Sequence, residues 1–233
     1  MNELLKNSLY FGMTVSVGSY LAASWLKKKT GWAVLNPLLV SSIMVLLFLV
    51  VFRVDYQTYN NGAKYLSYLL TPATVCLAIP LYKQLELLKK YFPAVIGAIC
   101  SGVAASAAGV FILVKAMGLG HEHYVTLLPK SITTAIGMGV SEEAGGIVTL
   151  TVISIIITGV LGSVIAEAVF KLAGITHPMA KGLALGTSAH AIGTSKALEL
   201  GEIEGAMSSL SIAVAGILTV FGASVFSWIY SVL

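Results

Sequence analysis

Charge is the scarcest property of this chain. Only 10% of its 233 residues are Asp, Glu, Lys or Arg, whereas soluble globular domains carry about 25%. So little polar surface cannot cover a water-facing exterior, which excludes an ordinary cytosolic enzyme and a charge-rich disordered chain. Cysteine is almost missing as well. Cys76 and Cys100 lie in apolar stretches at no ligand or redox spacing, which excludes a disulfide scaffold and leaves two buried free thiols. Also missing are a phosphate-binding glycine loop, a metal-spaced His/Cys cluster and a serine–histidine–acid pattern. His121 and His123 flank Glu122 in what reads as a solvated loop. No enzyme activity, catalytic residue, metal or cofactor is therefore expected. Acidic residues are fewer than basic ones, 10 against 14. The excess does not read as a nucleic-acid surface, because Lys27, Lys28 and Lys29 flank an apolar run, where they anchor on anionic lipid.

What is abundant is hydrocarbon. Hydrophobic residues make up 57% of the chain and its mean hydropathy is +0.91, the composition of an all-α integral membrane protein. A spanning helix needs about 20 mostly apolar residues. The runs that approach this are Tyr10–Leu26, Leu38–Phe52, Tyr65–Tyr82, Ala94–Val114, Tyr124–Ser141, Gly145–Ala166, Gly182–Ser195 and Met207–Leu233. No small-residue cleavage pattern follows the first, so it reads as a retained membrane segment. Pro72 and Pro80 break the third, and the fifth holds Pro129, Lys130, Gly137 and Gly139. The seventh is short and contains His190.

The spacing of these runs repeats. A shift of about 116 carries the first four onto the last four, with Thr71-Pro72-Ala73 facing Thr187-Ser188-Ala189 and Ala63-Lys64 facing Ala180-Lys181. The expectation is one membrane domain over 1–233, built from repeats of roughly 1–117 and 118–233. Its about 6–8 membrane segments would include two discontinuous or re-entrant helices, the third and seventh, meeting near mid-membrane. That arrangement makes the halves inverted rather than parallel. The basic residues are shared too evenly between the two sides to fix the orientation.

The broken segments hold the candidate chemistry. One helix cannot run cleanly through both Pro72 and Pro80, and backbone groups freed at membrane depth must be buried or line a wet cavity. Thr71 and Thr74 stand where their hydroxyls cap the restarted helix or reach a solute. The alternative is a proline kink satisfied by those threonines, with no ligand. In the seventh segment three glycines, Thr187, Ser188, Thr194, Ser195 and His190 interrupt an apolar stretch. An ionisable group inside a membrane is a functional candidate by default, and His190 titrates near neutral pH. Its alternative is a neutral histidine hydrogen-bonded between helices. Lys196 reads as an interfacial cation. In the fifth segment Pro129 opens a helix start with Ser131, Thr133 and Thr134 behind it, an arrangement suited to an anion. Glu142 is a candidate partner for a cation or a proton, Glu143 reads as solvated, and Glu167 and Lys171 have the spacing of a helical ion pair. Gly97, Gly102, Ala105 and Gly109 suit close helix packing.

Three motifs carry a resemblance. Pro80-Leu81-Tyr82-Lys83, Leu128-Pro129-Lys130-Ser131-Ile132-Thr133-Thr134-Ala135 and Lys181-Gly182-Leu183-Ala184-Leu185-Gly186-Thr187-Ser188-Ala189-His190 resemble the LrgB/CidB family over nearly the whole chain. Ala191–Ala197 and Val140–Glu143 resemble its CidB side. The resemblance implies a holin/antiholin-like membrane protein with a small LrgA/CidA-like membrane partner, linked to control of murein hydrolases and cell lysis. It also implies likeness to part of the plastidic glycolate/glycerate translocator and to bacterial proteins tied to pyruvate uptake. Two functions are expected on these grounds. The first is a proton-coupled carrier of small monocarboxylates, with Thr71, Pro72, Thr74, Ser131, Thr133, Thr134, Thr187, Ser188, His190, Thr194 and Ser195 around the anion. His190 and Glu142 would then handle the proton. The second is an antiholin-like regulator of lysis, whose polar positions line an assembly interface. A homo-oligomer is expected under both.

Overall fold

The computed structural model describes residue 8 and residues 10–32, 35–69, 72, 75, 76 and 78–232. Among these, helices joined by short connections account for the structure and no strand occurs. The chain packs as two compact units, Met1–Cys76 and Leu77–Leu233.

In the first unit, α1 (Phe11–Thr30) ends where Gly31 takes φ 68, with Lys27, Lys28 and Lys29 in the last turn against the negative end of the helix dipole. α2 (Pro37–Val51) starts at Asn36, whose side chain accepts from the Leu38 and Leu39 amides, with Pro37 at the first helical position. Asp55 caps α3 (Tyr56–Ala63) by accepting from the Gln57 amide, and a 3-10 helix follows at Lys64–Leu69. Gly12 packs directly beneath α3, where a β-carbon would collide with the Tyr59 carbonyl. Ser16 and the Tyr59 hydroxyl share a hydrogen bond of 2.7 Å.

The second unit contains α4 (Ala78–Lys83), α5 (Leu85–Lys90), α6 (Phe92–Ala116), α7 (His121–Leu127), α8 (Thr134–Glu143), α9 (Val148–Leu172), α10 (Pro178–Leu200) and α11 (Glu202–Val232). Three stretches, Phe92–Ala116, Val148–Leu172 and Glu202–Tyr230, are long and apolar enough to cross a membrane. Twenty-five helical residues span about 37 Å, against a hydrocarbon core of about 30 Å. Their outward faces are greasy: Ile112, Leu113, Ile156, Ile157, Ile217 and Phe221 are exposed. Such a surface would be a liability in water and is the natural exterior in lipid. This also corrects the expectation for the thiols. Cys76 and Cys100 are both exposed, because apolar sequence here faces outward rather than into the protein.

Between the long helices the chain turns back on itself. Within α10, Ala189 (φ −129, ψ 16) and His190 (φ 42, ψ −136) leave helical geometry. In a straight helix Gly182 and Leu198 would stand about 24 Å apart. Here both lie against the start of α11, Gly182 at Glu204 and Leu198 at Gly205, and a β-carbon on Gly193 would strike the Leu185 carbonyl eight residues earlier. α10 is therefore a hairpin of two helical arms with its tip at Ala189–His190. α7 and α8 form a second hairpin. Thr126 on the first arm accepts the Ile147 amide at 2.8 Å, and its carbonyl accepts from the Thr151 hydroxyl at 2.9 Å. That same hydroxyl lies 2.7 Å from Ser141 on the other arm. At the open end His121, Glu143 and Ala144 line one cavity with Ser227 of α11.

The two hairpins open at opposite ends of the long helices. The Tyr230 hydroxyl, at the end of α11, donates to the Leu119 carbonyl beside the α7–α8 base. Tyr124 and Tyr230 stack there at 4.7 Å, with Phe111 packed edge-on to both rings. The α10 hairpin opens beside the start of α11, where Lys83 pairs with Glu202 at 3.9 Å.

Candidate functional site

The tips of the two hairpins face a shared polar zone flanked by α6 and α9. From the α7–α8 tip, the Lys130 ammonium donates to Ser131 at 3.2 Å and to Ser106 of α6 at 3.3 Å, and the two hydroxyls are 2.9 Å apart. A cavity of 380 Å³ joins Lys130 to Thr158 and Gly162 of α9 and to Ala184, Leu185 and Ser188 of the α10 tip. Ser106 lies near the midpoint of α6, and Thr158 and Gly162 near that of α9. Ser188 also borders an apolar groove of 540 Å³ lined by Tyr91, Ala98, Gly102, His177 and Thr187. A small void between Ser106, Ser131, Thr187 and Thr219 completes the contact between tips.

The α10 tip is held by close packing that only glycine permits. The His190 ring is buried, and its Nε2–H donates to the Ile155 carbonyl of α9 at 2.9 Å. A carbonyl can only accept, so this bond fixes which ring nitrogen carries the proton. Gly159 faces the ring, and a β-carbon there would lie 2.6 Å from its Cε1 and Nε2 atoms. Gly162 makes the same room for Ala189. Beyond the tip, Thr194 donates to the His190 carbonyl at 3.1 Å and shares a 2.7 Å bond with Ser208 of α11. Gly186 lets the other arm sit directly on Ser208.

The residues singled out in the sequence thus divide. Ser131, Thr187 and Ser188 border the polar zone, while His190 and Thr194 are buried just behind it. Thr187 and Ser188 turn their hydroxyl protons back to the Leu183 and Ala184 carbonyls, each at 2.7 Å, leaving oxygen lone pairs toward the cavities. Thr133 precedes α8 and Thr134 opens it, both half-buried, and neither borders these cavities. Ser195 is exposed and borders none of these cavities, and Pro72 belongs to the first unit. Thr71 and Thr74 lie outside the described residues. Glu142 is exposed at the far end of α8, roughly 12 Å of helix from the tip. Glu167 pairs with Lys196 at 2.5 Å, and Lys196 also reaches Glu199 at 3.4 Å. Of the small residues on α6, Gly102 packs against Thr187, while Gly97 and Gly109 have open space beside them. Lys130, Ser106 and Thr158 were not singled out. Lys130 was visible as a lysine inside a weakly apolar segment and as part of the Leu128–Ala135 motif, whereas Ser106 and Thr158 carry no signal in the sequence.

Long apolar helices around a polar interior with interrupted helices define a helical membrane protein. The chain belongs to the LrgB-like family, whose profile matches residues 16–229. It is 40% identical over 212 residues to the antiholin-like protein LrgB of Bacillus cereus (strain B4264) and equally to that of Bacillus anthracis (strain A0248). Each alignment covers 91% of this chain and 92% of the relative. No solved structure matches it.

Proposed function

We propose that this chain is a multi-pass cell-membrane protein acting as an antiholin-like component in the control of murein hydrolases and lysis, alongside a small LrgA/CidA-like partner. The observation that carries this reading is its likeness, over nine-tenths of its length, to proteins named antiholin-like LrgB. A Bacillus strain lacking its own LrgB provides the test. Expression of this chain with the small partner should lower murein hydrolase bands in zymograms and slow detergent-induced lysis. Unchanged bands and lysis at full expression would refute the role.

The hairpin tips favour a second activity of the same protein, carriage of small monocarboxylates coupled to protons. Two helical hairpins entering from opposite ends, with a cation and hydroxyls between their tips, form the kind of mid-membrane solute site that broken helices build in transporters. In this reading both hairpins, the fifth and seventh segments, are re-entrant, whereas the sequence pointed to the third and seventh. With both of them inside 118–233 that half crosses twice, so the shift of about 116 supports a repeat but not an inverted one. His190 responds to the proton, Ser131 faces the anion, and Thr187 and Ser188 ligate it by turning their hydroxyl protons away from the Leu183 and Ala184 carbonyls. Purified protein in proteoliposomes should take up labelled pyruvate, glycolate or lactate when the pH gradient is imposed. His190→Gln keeps the hydrogen bond to Ile155 but cannot titrate, so uptake between pH 5 and 8 should lose its pH dependence. A glutamine variant with the wild-type pH profile would remove His190 from the coupling role.

A further inference from the structure

Among the described residues Lys130 is a cation with no counter-charge. No carboxylate among them lies within ion-pair distance of it; the ion pairs of its unit include Lys83–Glu202, Lys196–Glu167 and Lys196–Glu199. Every one of these is near an end of the helices, whereas Lys130 is level with the middle of α6 and α9. An ammonium there is expensive unless it is paired or borders a wet cavity. Its two protein partners, Ser106 and Ser131, are neutral and stand at 3.3 and 3.2 Å, the long end of the hydrogen-bond range. An ammonium has three donors, and the cavity of 380 Å³ opens beside it.

We infer that Lys130, its ammonium steadied by Ser131 and Ser106, binds one small monoanion, with a carboxylate as its chemical class, in the cavity that it shares with Thr158 of α9 and Ser188 of the opposite hairpin. The site rests on the reading of the hairpin tips as a place where solute sits, and it is independent of the lysis role. One fixed positive charge beside a largely apolar, half-open cavity is neutralised by one negative charge. A dianion would leave a full charge uncompensated, so the site discriminates by charge number as well as by size. The walls of Leu161, Ile165 and Leu185 suit a short hydrocarbon substituent on the carboxylate and disfavour a second polar head.

The experiment is ligand-induced thermal stabilisation of the full-length protein in detergent, with acetate as the monoanion, malonate as the dianion and acetamide as the uncharged control, all at matched ionic strength. Acetate should raise the melting temperature in a saturable way, and malonate and acetamide should not. Lys130→Met keeps the length of the side chain without its charge and should weaken acetate binding roughly tenfold or more. Lys130→Arg should retain binding, and Ser131→Ala should weaken it several-fold. If Lys130→Met fails to fold, the wild-type contrast between acetate and malonate still decides. Malonate binding as well as acetate, no saturable acetate effect, or undiminished binding in a folded Lys130→Met protein would each overturn the site. Uptake by proteoliposomes separates the two layers. Acetate binding without any uptake would sink the carrier and leave the site, while uptake unaffected by Lys130→Met would sink the site and leave the carrier.

Discussion

At the scale of residues, the telling position is His190. A φ of 42 in a residue with a β-carbon costs on the order of 1–3 kcal/mol and persists only where the surroundings enforce it. Here the enforcement is visible: a hydrogen bond to the Ile155 carbonyl and a ring seated in the notch left by Gly159. Gly159→Ala should therefore expel the ring or shift the tip, lowering stability by about 1–3 kcal/mol in thermal unfolding of the detergent-solubilised protein. Gly97→Ala and Gly109→Ala are the matched controls. Both sit inside α6 with open space at the β-carbon, and removing glycine from a helix should leave stability unchanged or raise it by up to about 1 kcal/mol. Equal losses at all three positions would show that the notch is not special. The polarity of His190 was legible in the sequence, and so was the alternative of a histidine bonded between helices. Its partner was not, because Ile155 offers only a main-chain carbonyl, which any residue would present.

At the scale of elements, hydrophobic length gave away α6, α9 and α11 but not the hairpins. Gly182–Ser195 has the length of one short apolar run, and its glycines and polar residues mark it as discontinuous or re-entrant, but the sharp reversal itself depends on two residues' dihedral angles and on contacts with α11 that are distant in sequence. The glycines were the available clue. Gly182, Gly186 and Gly193 are places of close backbone approach, to Glu204, Ser208 and Leu185 respectively, and not merely helix weakeners. The fifth run was legible as weak, yet its division into α7 and α8 around Lys130 follows from the Thr126–Ser141–Thr151 hydroxyl cluster that ties the arms together. The hairpin makes a sharp prediction. Cysteines at Ala180 and Glu199, both exposed, would be about 28 Å apart on a straight helix but lie on adjacent arms here. With Cys76 and Cys100 replaced by serine, a short bismaleimide should join them within one chain. Failure to cross-link, with each site labelled efficiently alone, would restore a continuous helix.

At the scale of the whole molecule, the hairpins set which surfaces share a side of the membrane. In the proposed arrangement α10 enters and leaves on one face, so His177 and Glu202 lie together, and Glu143 at the base of the other hairpin lies opposite. Single cysteines at these three positions in a cysteine-free protein can be probed with a membrane-impermeant maleimide on intact cells and on inverted vesicles. His177→Cys and Glu202→Cys should react from the same side and Glu143→Cys from the other. Opposite reactivity of the first two would mean that α10 crosses. The short arms also bear on biogenesis. The 7 residues of α7, the 10 of α8 and the half-length arms of the 23-residue α10 are each too brief for recognition as spanning segments during synthesis. Their polar tips become tolerable only once α6, α9 and α11 have walled off the lipid. The long helices must therefore insert first, and the hairpins slot in afterwards as prefolded pairs, so a chain stalled before α11 emerges should leave the α10 hairpin outside the bilayer and open to quality-control proteolysis.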